Sequence, residues 1–241
     1  VLDWLRRDPR AIPTLQLGGR ELPVIVRRLD RARRMTMRLG PDGTEVRISI
    51  PKWGRTAEAL EFARSRRAWL EGQLAALPAP ATIAPGTTVR FRGDPLVLRH
   101  DPGAKRRPIA RDGELLVGGP DSALEQRVRR WLQSEARLLM AADLDEYCLG
   151  ADRPAAQLAL SNARRRWGSC AANGAIRINW RLIMAPDFVR RSVVAHEVAH
   201  LLHFDHSPAF HACLARLFEG DIAKANAWLK REGRGLYQPF G

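Results

Sequence analysis

The chain has 241 residues, enough for one large domain or two small ones, and its 45% hydrophobic content supports a packed core. No apolar run approaches the ~18 residues of a membrane span, so a transmembrane helix is not expected. The formal net charge is +14, and 36 of the 40 basic residues are arginine.

That charge is uneven. Residues 1–120 hold 23 basic and 13 acidic side chains, while the rest hold 17 and 13. The densest stretch is Arg27 to Arg38 (RRLDRARRMTMR). Such a field attracts nucleic acid or acidic partners. No recognised nucleic-acid motif accompanies it, and aromatic content is only 7%, so a solvated arginine-rich surface is the plainer reading. The cysteines are Cys148, Cys170 and Cys213, an odd number with no C-x-x-C pair. This argues against a disulfide framework or a cysteine zinc site. The first residues, VLDWLRRDPRAIP, are too charged for a signal peptide, and a reducing cytoplasm is the expected setting.

In chain order, the first half reads as strands and turns around one helix. Leu15 to Leu17, Gly18-Gly19 and Leu22 to Val26 form a hairpin pattern. Met35 to Leu39 and Glu45 to Ile50 alternate as a second strand pair across the turn Gly40-Pro41-Asp42-Gly43. Thr56 to Leu77 has helical periodicity, and Pro78 to Pro85 is linker-like. Thr88 to Phe91 and Leu96 to Leu98 flank Gly93-Asp94, and Ile109 to Arg111 and Glu114 to Val117 flank Asp112-Gly113.

The second half is mainly helical. Ser122 to Tyr147 is long and amphipathic, and Gln157 to Leu160 and Ala175 to Asn179 are short strands. Pro186 to Phe204 has apolar residues at 189, 193, 194, 198, 201 and 202, a helical spacing with proline in the first turn. Helices over Ser207 to Phe218 and Asp221 to Arg231 follow, and no internal repeat is visible. The whole reads as α+β. Two regions are expected, a β-rich basic part with one helix over 1–120 and a helical part over 121–241.

Within the Pro186–Phe204 segment stands His196-Glu197-Val198-Ala199-His200, an H-E-x-x-H pattern. Histidines four apart lie on one helical face and can converge on one metal ion, and Glu197 can reach a water there. A chance match at this composition occurs in on the order of 1% of such sequences, before helical context is required. His206, six residues after His200, is the favoured third ligand. Metzincins keep this interval with a glycine in the turn, and here that position is His203. Asp205-His206-Ser207-Pro208 supplies a turn and a new helix start instead. His203, His211 and Cys170 are the alternatives, and His100 is incidental. Arg166 and Trp167 either contact substrate or belong to a packed turn, and nothing in the sequence places Tyr237.

Several elements together resemble one known family. They are the R-W-G-S-C of Arg166 to Cys170, the N-W-R-L of Asn179 to Leu182, and HEVAHLLHFDHS from His196 to Ser207. Met35-Thr36-Met37-Arg38, Ile48-Ser49-Ile50-Pro51 and Arg66-Arg67-Ala68-Trp69-Leu70 fit its N-terminal region. The chain resembles the YgjP-like metallopeptidases from about Arg20 to Arg234, which allows one continuous domain over that span. The resemblance implies a zincin-type catalytic part with His196, His200 and His206 on Zn²⁺ and Glu197 as catalytic acid/base. It also places the chain near SprT-like proteases, some of which act on DNA-bound proteins. The expected function is hydrolysis of a protein or peptide substrate. The rival expectation is a nucleic-acid-associated basic protein whose metal site is structural or acts on DNA-bound proteins.

Overall fold

The structure is a computed structural model that describes residues 12–40, 43–76, 82–238 and 240. Pro41-Asp42 of the expected turn, Leu77 at the expected helix end, and residues 78–81 of the expected linker lie outside the described residues. The chain divides into two compact units, Val1–Ala79 and Pro80–Gly241. Six helices and three small sheets make it α+β among the described residues.

In the first unit, β1 (Thr14–Leu17) and β2 (Arg20–Leu29) form the expected hairpin. Gly18 and Gly19 both have positive φ, as the tight turn between them requires. β3 (Thr36–Leu39) runs antiparallel to β4 (Val46–Pro51), and β4 lies parallel to β2, giving the order β1-β2-β4-β3. Alternation sends Leu15, Leu17, Leu22, Val24, Val46, Ile48 and Ile50 into one core. Ala59 and Ala63 of α1 (Thr56–Ser65) and Leu70 of α2 (Arg67–Ala75) close it. The single helix expected over Thr56 to Leu77 is thus two, broken at Arg66 (φ −109°, ψ 20°). The Ser65 hydroxyl donates to the Phe62 carbonyl at 3.0 Å, and such back-bonding competes with the helical ladder at the break.

The second unit opens with β5 (Thr88–Phe91), β6 (Asp94–His100), β7 (Ile109–Arg111) and β8 (Glu114–Val117). Their order β5-β6-β8-β7, with a parallel centre and two antiparallel hairpins, repeats the topology of the first sheet. Both hairpins of this sheet turn at X-Gly pairs, Arg92-Gly93 and Asp112-Gly113, whose residues all have positive φ. α3 (Leu124–Gly150) is the expected long helix, with Val128, Leu132, Ala136, Met140 and Leu144 in the core. β9 (Leu158–Ser161), β10 (Gly168–Cys170) and β11 (Ile176–Asn179) form a three-stranded sheet in the order β10-β11-β9. The segment around Gly168 to Cys170 reads as a loop in sequence, but it pairs antiparallel with β11 and becomes an edge strand. A 3-10 turn, Trp180–Met184, leads to α4 (Asp187–Ala199), then α5 (Pro208–Leu217) and α6 (Ile222–Glu232).

α4 is held from both sides of its sequence. The Arg92 amide donates to the Ile183 carbonyl at 2.7 Å, and the Arg92 guanidinium donates to Asp187, in the helix's first turn. The Arg190 guanidinium, itself buried, donates to Asp143 of α3 at 2.7 Å. Arg191 reaches Asp143, Glu146 and Glu219. No helix among the described residues is long and apolar enough to cross a membrane.

Candidate metal centre

α4 carries the H-E-x-x-H pattern at its C-terminal end. Val189, Val193, Val194, Ala195, Val198 and Ala199 are buried, so the helix is fixed in the core up to its last residue. His196 lies in the last turn, and His200 is the C-cap with near-helical angles (φ −69°, ψ −15°). The four-residue spacing therefore keeps its helical geometry. Glu197 is rotated from His196 by about 100° and from His200 by about 60°.

The helix stops five residues before the end expected at Phe204. Leu201 and Leu202 donate to the carbonyls three residues back, Val198 and Ala199, at 2.9 and 3.1 Å. This tightening turns the chain and frees the His203 carbonyl, which lies 2.9 Å from His200 Nδ1. A carbonyl only accepts, so Nδ1 carries the proton and Nε2 keeps its lone pair. Ser207 then caps α5, its side chain accepting from the Phe210 amide, with Pro208 at the helix start. His206 stands at the corner between the two helices.

This path brings three histidines together. One ring nitrogen each of His196, His200 and His206 lies within 4.8 Å of the others. His196 Nε2 and His206 Nε2 are 3.2 Å apart. Two nitrogens at zinc-ligand distance in tetrahedral geometry are separated by about 3.3 Å, so the pair needs almost no adjustment to share an ion. His196 and His200 are half-buried and His206 is exposed, which leaves one side of the group open to solvent. Phe210, fully buried, lies under all three rings at centroid distances of 4.6 to 4.9 Å. Burial, with the neighbouring His200, His206 and His211, pushes the His196 imidazole down to about 4, so this ring stays neutral as a ligand requires.

Glu197 is buried against β10. A Cβ placed on Gly168 would lie 2.3 Å from Glu197 Oε1 and 2.6 Å from its Cγ. Only glycine leaves room for the carboxylate there. Burial pushes the Glu197 carboxyl up to about 7, while the exposed Arg166 charge and the Cys170 backbone N–H, which donates to it, act the other way. A carboxyl poised near neutrality suits proton transfer in both directions.

The other sequence candidates fall elsewhere. His203 enters through its backbone carbonyl, not its ring. His211 lies 6.4 Å from the His206 ring, outside the ligand group. Cys170 is also outside the group, and burial raises its thiol. His100 sits between the Gly119 carbonyl and Asp121. Trp167 packs on Tyr237 and Gly233, which makes it a packing element. The Tyr237 hydroxyl donates to the Ala163 carbonyl at 2.9 Å and accepts from Asn179 at 3.0 Å. Phe210, Gly168 and the His203 carbonyl carry no chemical signature in sequence, and only the R-W-G-S-C element hinted at the second of them.

Among known protein families, residues 33–232 match one described as YgjP-like, metallopeptidase domain. The chain belongs to the YgjP-like metallopeptidase family. No curated protein and no solved structure matched it. The YgjP-like match runs across both compact units and includes every residue of the metal centre. Membership makes the chain a metallopeptidase-domain protein, and a metal ion is implied.

Proposed function

We propose that this chain is a zinc-dependent peptidase in which His196, His200 and His206 hold the metal and Glu197 is the general acid/base. The observation that carries this reading is the convergence of three imidazole nitrogens within 4.8 Å, one of them with its tautomer set by the His203 carbonyl. Three neutral nitrogen donors suit zinc and leave a fourth position free for chemistry. A structural zinc site would close that position with a fourth protein ligand. The group has three members among the described residues, which favours catalysis over a purely structural ion.

A bound zinc ion supplies Lewis-acid polarisation of a water and of the scissile carbonyl. The chain's own part is the proton. Glu197 takes it from the attacking water at a carboxylate oxygen and returns it to the nitrogen of the leaving amine. The Cys170 N–H holds the carboxylate in register, and its burial keeps the proton affinity near neutral. Phe210 shields the imidazoles from beneath, so water reaches them from the open side only. The substrate is a peptide bond in a protein or peptide.

The test is elemental analysis beside hydrolysis of a fluorogenic casein. The parent is expected to hold about one zinc. Glu197→Gln is expected to keep the zinc and lose about 10²- to 10⁴-fold in hydrolysis. His206→Ala is expected to lose metal and activity together. Hydrolysis by Glu197→Gln at the parental rate would sink the mechanism, and full zinc in His206→Ala would remove His206 from the ligand set.

A further inference from the structure

The first unit holds a groove that the peptidase reading does not use. It has a volume of about 300 Å³ and is lined by Arg34, Met35, Thr36, Met37, Phe62, Arg66 and Trp69. Two features of the fold create it. β3 is an edge strand of the sheet, and the break between α1 and α2 at Arg66 opens the helical layer beside it. The floor is apolar and aromatic, and Trp69 stays 47% exposed. The rim is cationic. The Arg66 guanidinium lies 5.6 Å over the Phe62 ring.

The cations are available. Among the described residues Arg47, Lys52 and Arg67 are paired with Glu45, Asp30 and Glu71, while neither Arg34 nor Arg66 has an acidic partner. Exposed Arg31, Arg33 and Arg64 extend the same field. A ligand matched to this surface is anionic and carries a flat, polarisable body. Duplex nucleic acid offers the charge but hides its bases, and a peptide of acidic residues without aromatic ones offers the charge but has nothing to stack. Unpaired bases on a phosphate backbone meet both demands.

We propose that the groove between β3 and the α1–α2 break is a single-stranded nucleic-acid site, with a base on Trp69 and phosphates on Arg34 and Arg66. The site is sequence-tolerant, because every base has a π face and the only hydrogen-bonding side chains lining the groove are Thr36, the two arginines and the Trp69 indole, which stacks. It stands independently of the metal centre, whose ligands all lie in the other unit.

The experiment is fluorescence anisotropy of a labelled oligothymidylate of about ten nucleotides, the order of a single-strand site, on the full chain at several salt concentrations. Trp69→Ala is expected to weaken binding by roughly ten-fold or more with an unchanged salt slope. The double variant Arg34→Gln, Arg66→Gln is expected to flatten the salt slope by about two phosphates. Trp53→Ala, exposed but outside the groove, should bind as the parent does. Circular dichroism confirms that each variant is folded. Parental affinity in folded Trp69→Ala would overturn the proposal. So would equal affinity for a duplex of the same length, or displacement by a glutamate-rich peptide as effective as by unlabelled strand.

Discussion

Gly168→Ala tests how the Glu197 carboxylate, the proposed acid/base, is placed. The new Cβ would stand 2.3 Å from Glu197 Oε1, 2.6 Å from Cγ and 2.7 Å from Cδ. Ordinary carbon contacts begin near 3.5 Å, so the carboxylate has to retreat by about 1 Å. The backbone itself accepts alanine, because Gly168 is not among the residues of positive φ. Alanine in a strand even gains about 0.5–1 kcal/mol over glycine, which offsets part of the clash and keeps net stability close to the parent's. The three histidines lie on α4 and the turn after it, not on β10, so metal content should hold. A displacement of ~1 Å in a reacting group costs on the order of 100-fold in rate. The assay is zinc content, thermal melting, and kcat and KM on one fluorogenic peptide. The expected result is full zinc, a similar melting temperature, KM within about three-fold of the parent and kcat lower by ~100-fold. Parental kcat with full zinc would refute the placement of Glu197 against Gly168 as the working geometry.

Two further predictions concern the frame around the site. Arg190→Ala leaves the Asp143 carboxylate without its buried bidentate partner, although Arg191 remains near, and should cost about 3–5 kcal/mol in urea unfolding. A cost below about 1 kcal/mol would show that the pair is solvated. The same frame sets the acid limit. Burial works to raise the Asp187 carboxyl, but Arg92 and Arg190 outweigh it and hold it below its ordinary 3.8. Burial likewise opposes, and Arg191 and Tyr147 outweigh it, at Glu219, ordinarily 4.5. Both folded values lie below the unfolded ones. Their stabilisation is therefore complete above the ordinary carboxylate range and lost as pH falls through the folded values. The urea midpoint should drop from about pH 6 to about pH 3, and less steeply in Arg92→Gln. Because the raised Glu197 carboxyl works in the opposite direction above about pH 5, the comparison decides: a fall as steep in Arg92→Gln as in the parent would contradict the assignment.

Much of the site was legible in the sequence because its geometry is local. His196 and His200 share a face by helical repeat alone, whatever packs around them. The corner at His206 followed from the adjacent Ser207-Pro208, a cap and a helix start. The hairpins followed from Gly18-Gly19 and Asp112-Gly113, where the turn alone demands positive φ; the turn read at Gly93-Asp94 falls one residue earlier, at Arg92-Gly93, because Asp94 already pairs in β6.

What only the tertiary structure decided involves partners far apart in the chain. Three residues carry too little alternation to announce a strand, so Gly168–Cys170 became β10 only by pairing with β11. The need for glycine at 168 arises from a carboxylate 29 positions away. Nothing in the sequence placed Tyr237, and it is Asn179 and the Ala163 carbonyl that bind its hydroxyl in the core. Arg190 has the same periodicity as a surface arginine until Asp143 of α3 meets it. Periodicity tells which face of an element is apolar. It does not tell which distant element arrives on that face, because packing is settled by all the buried surfaces at once.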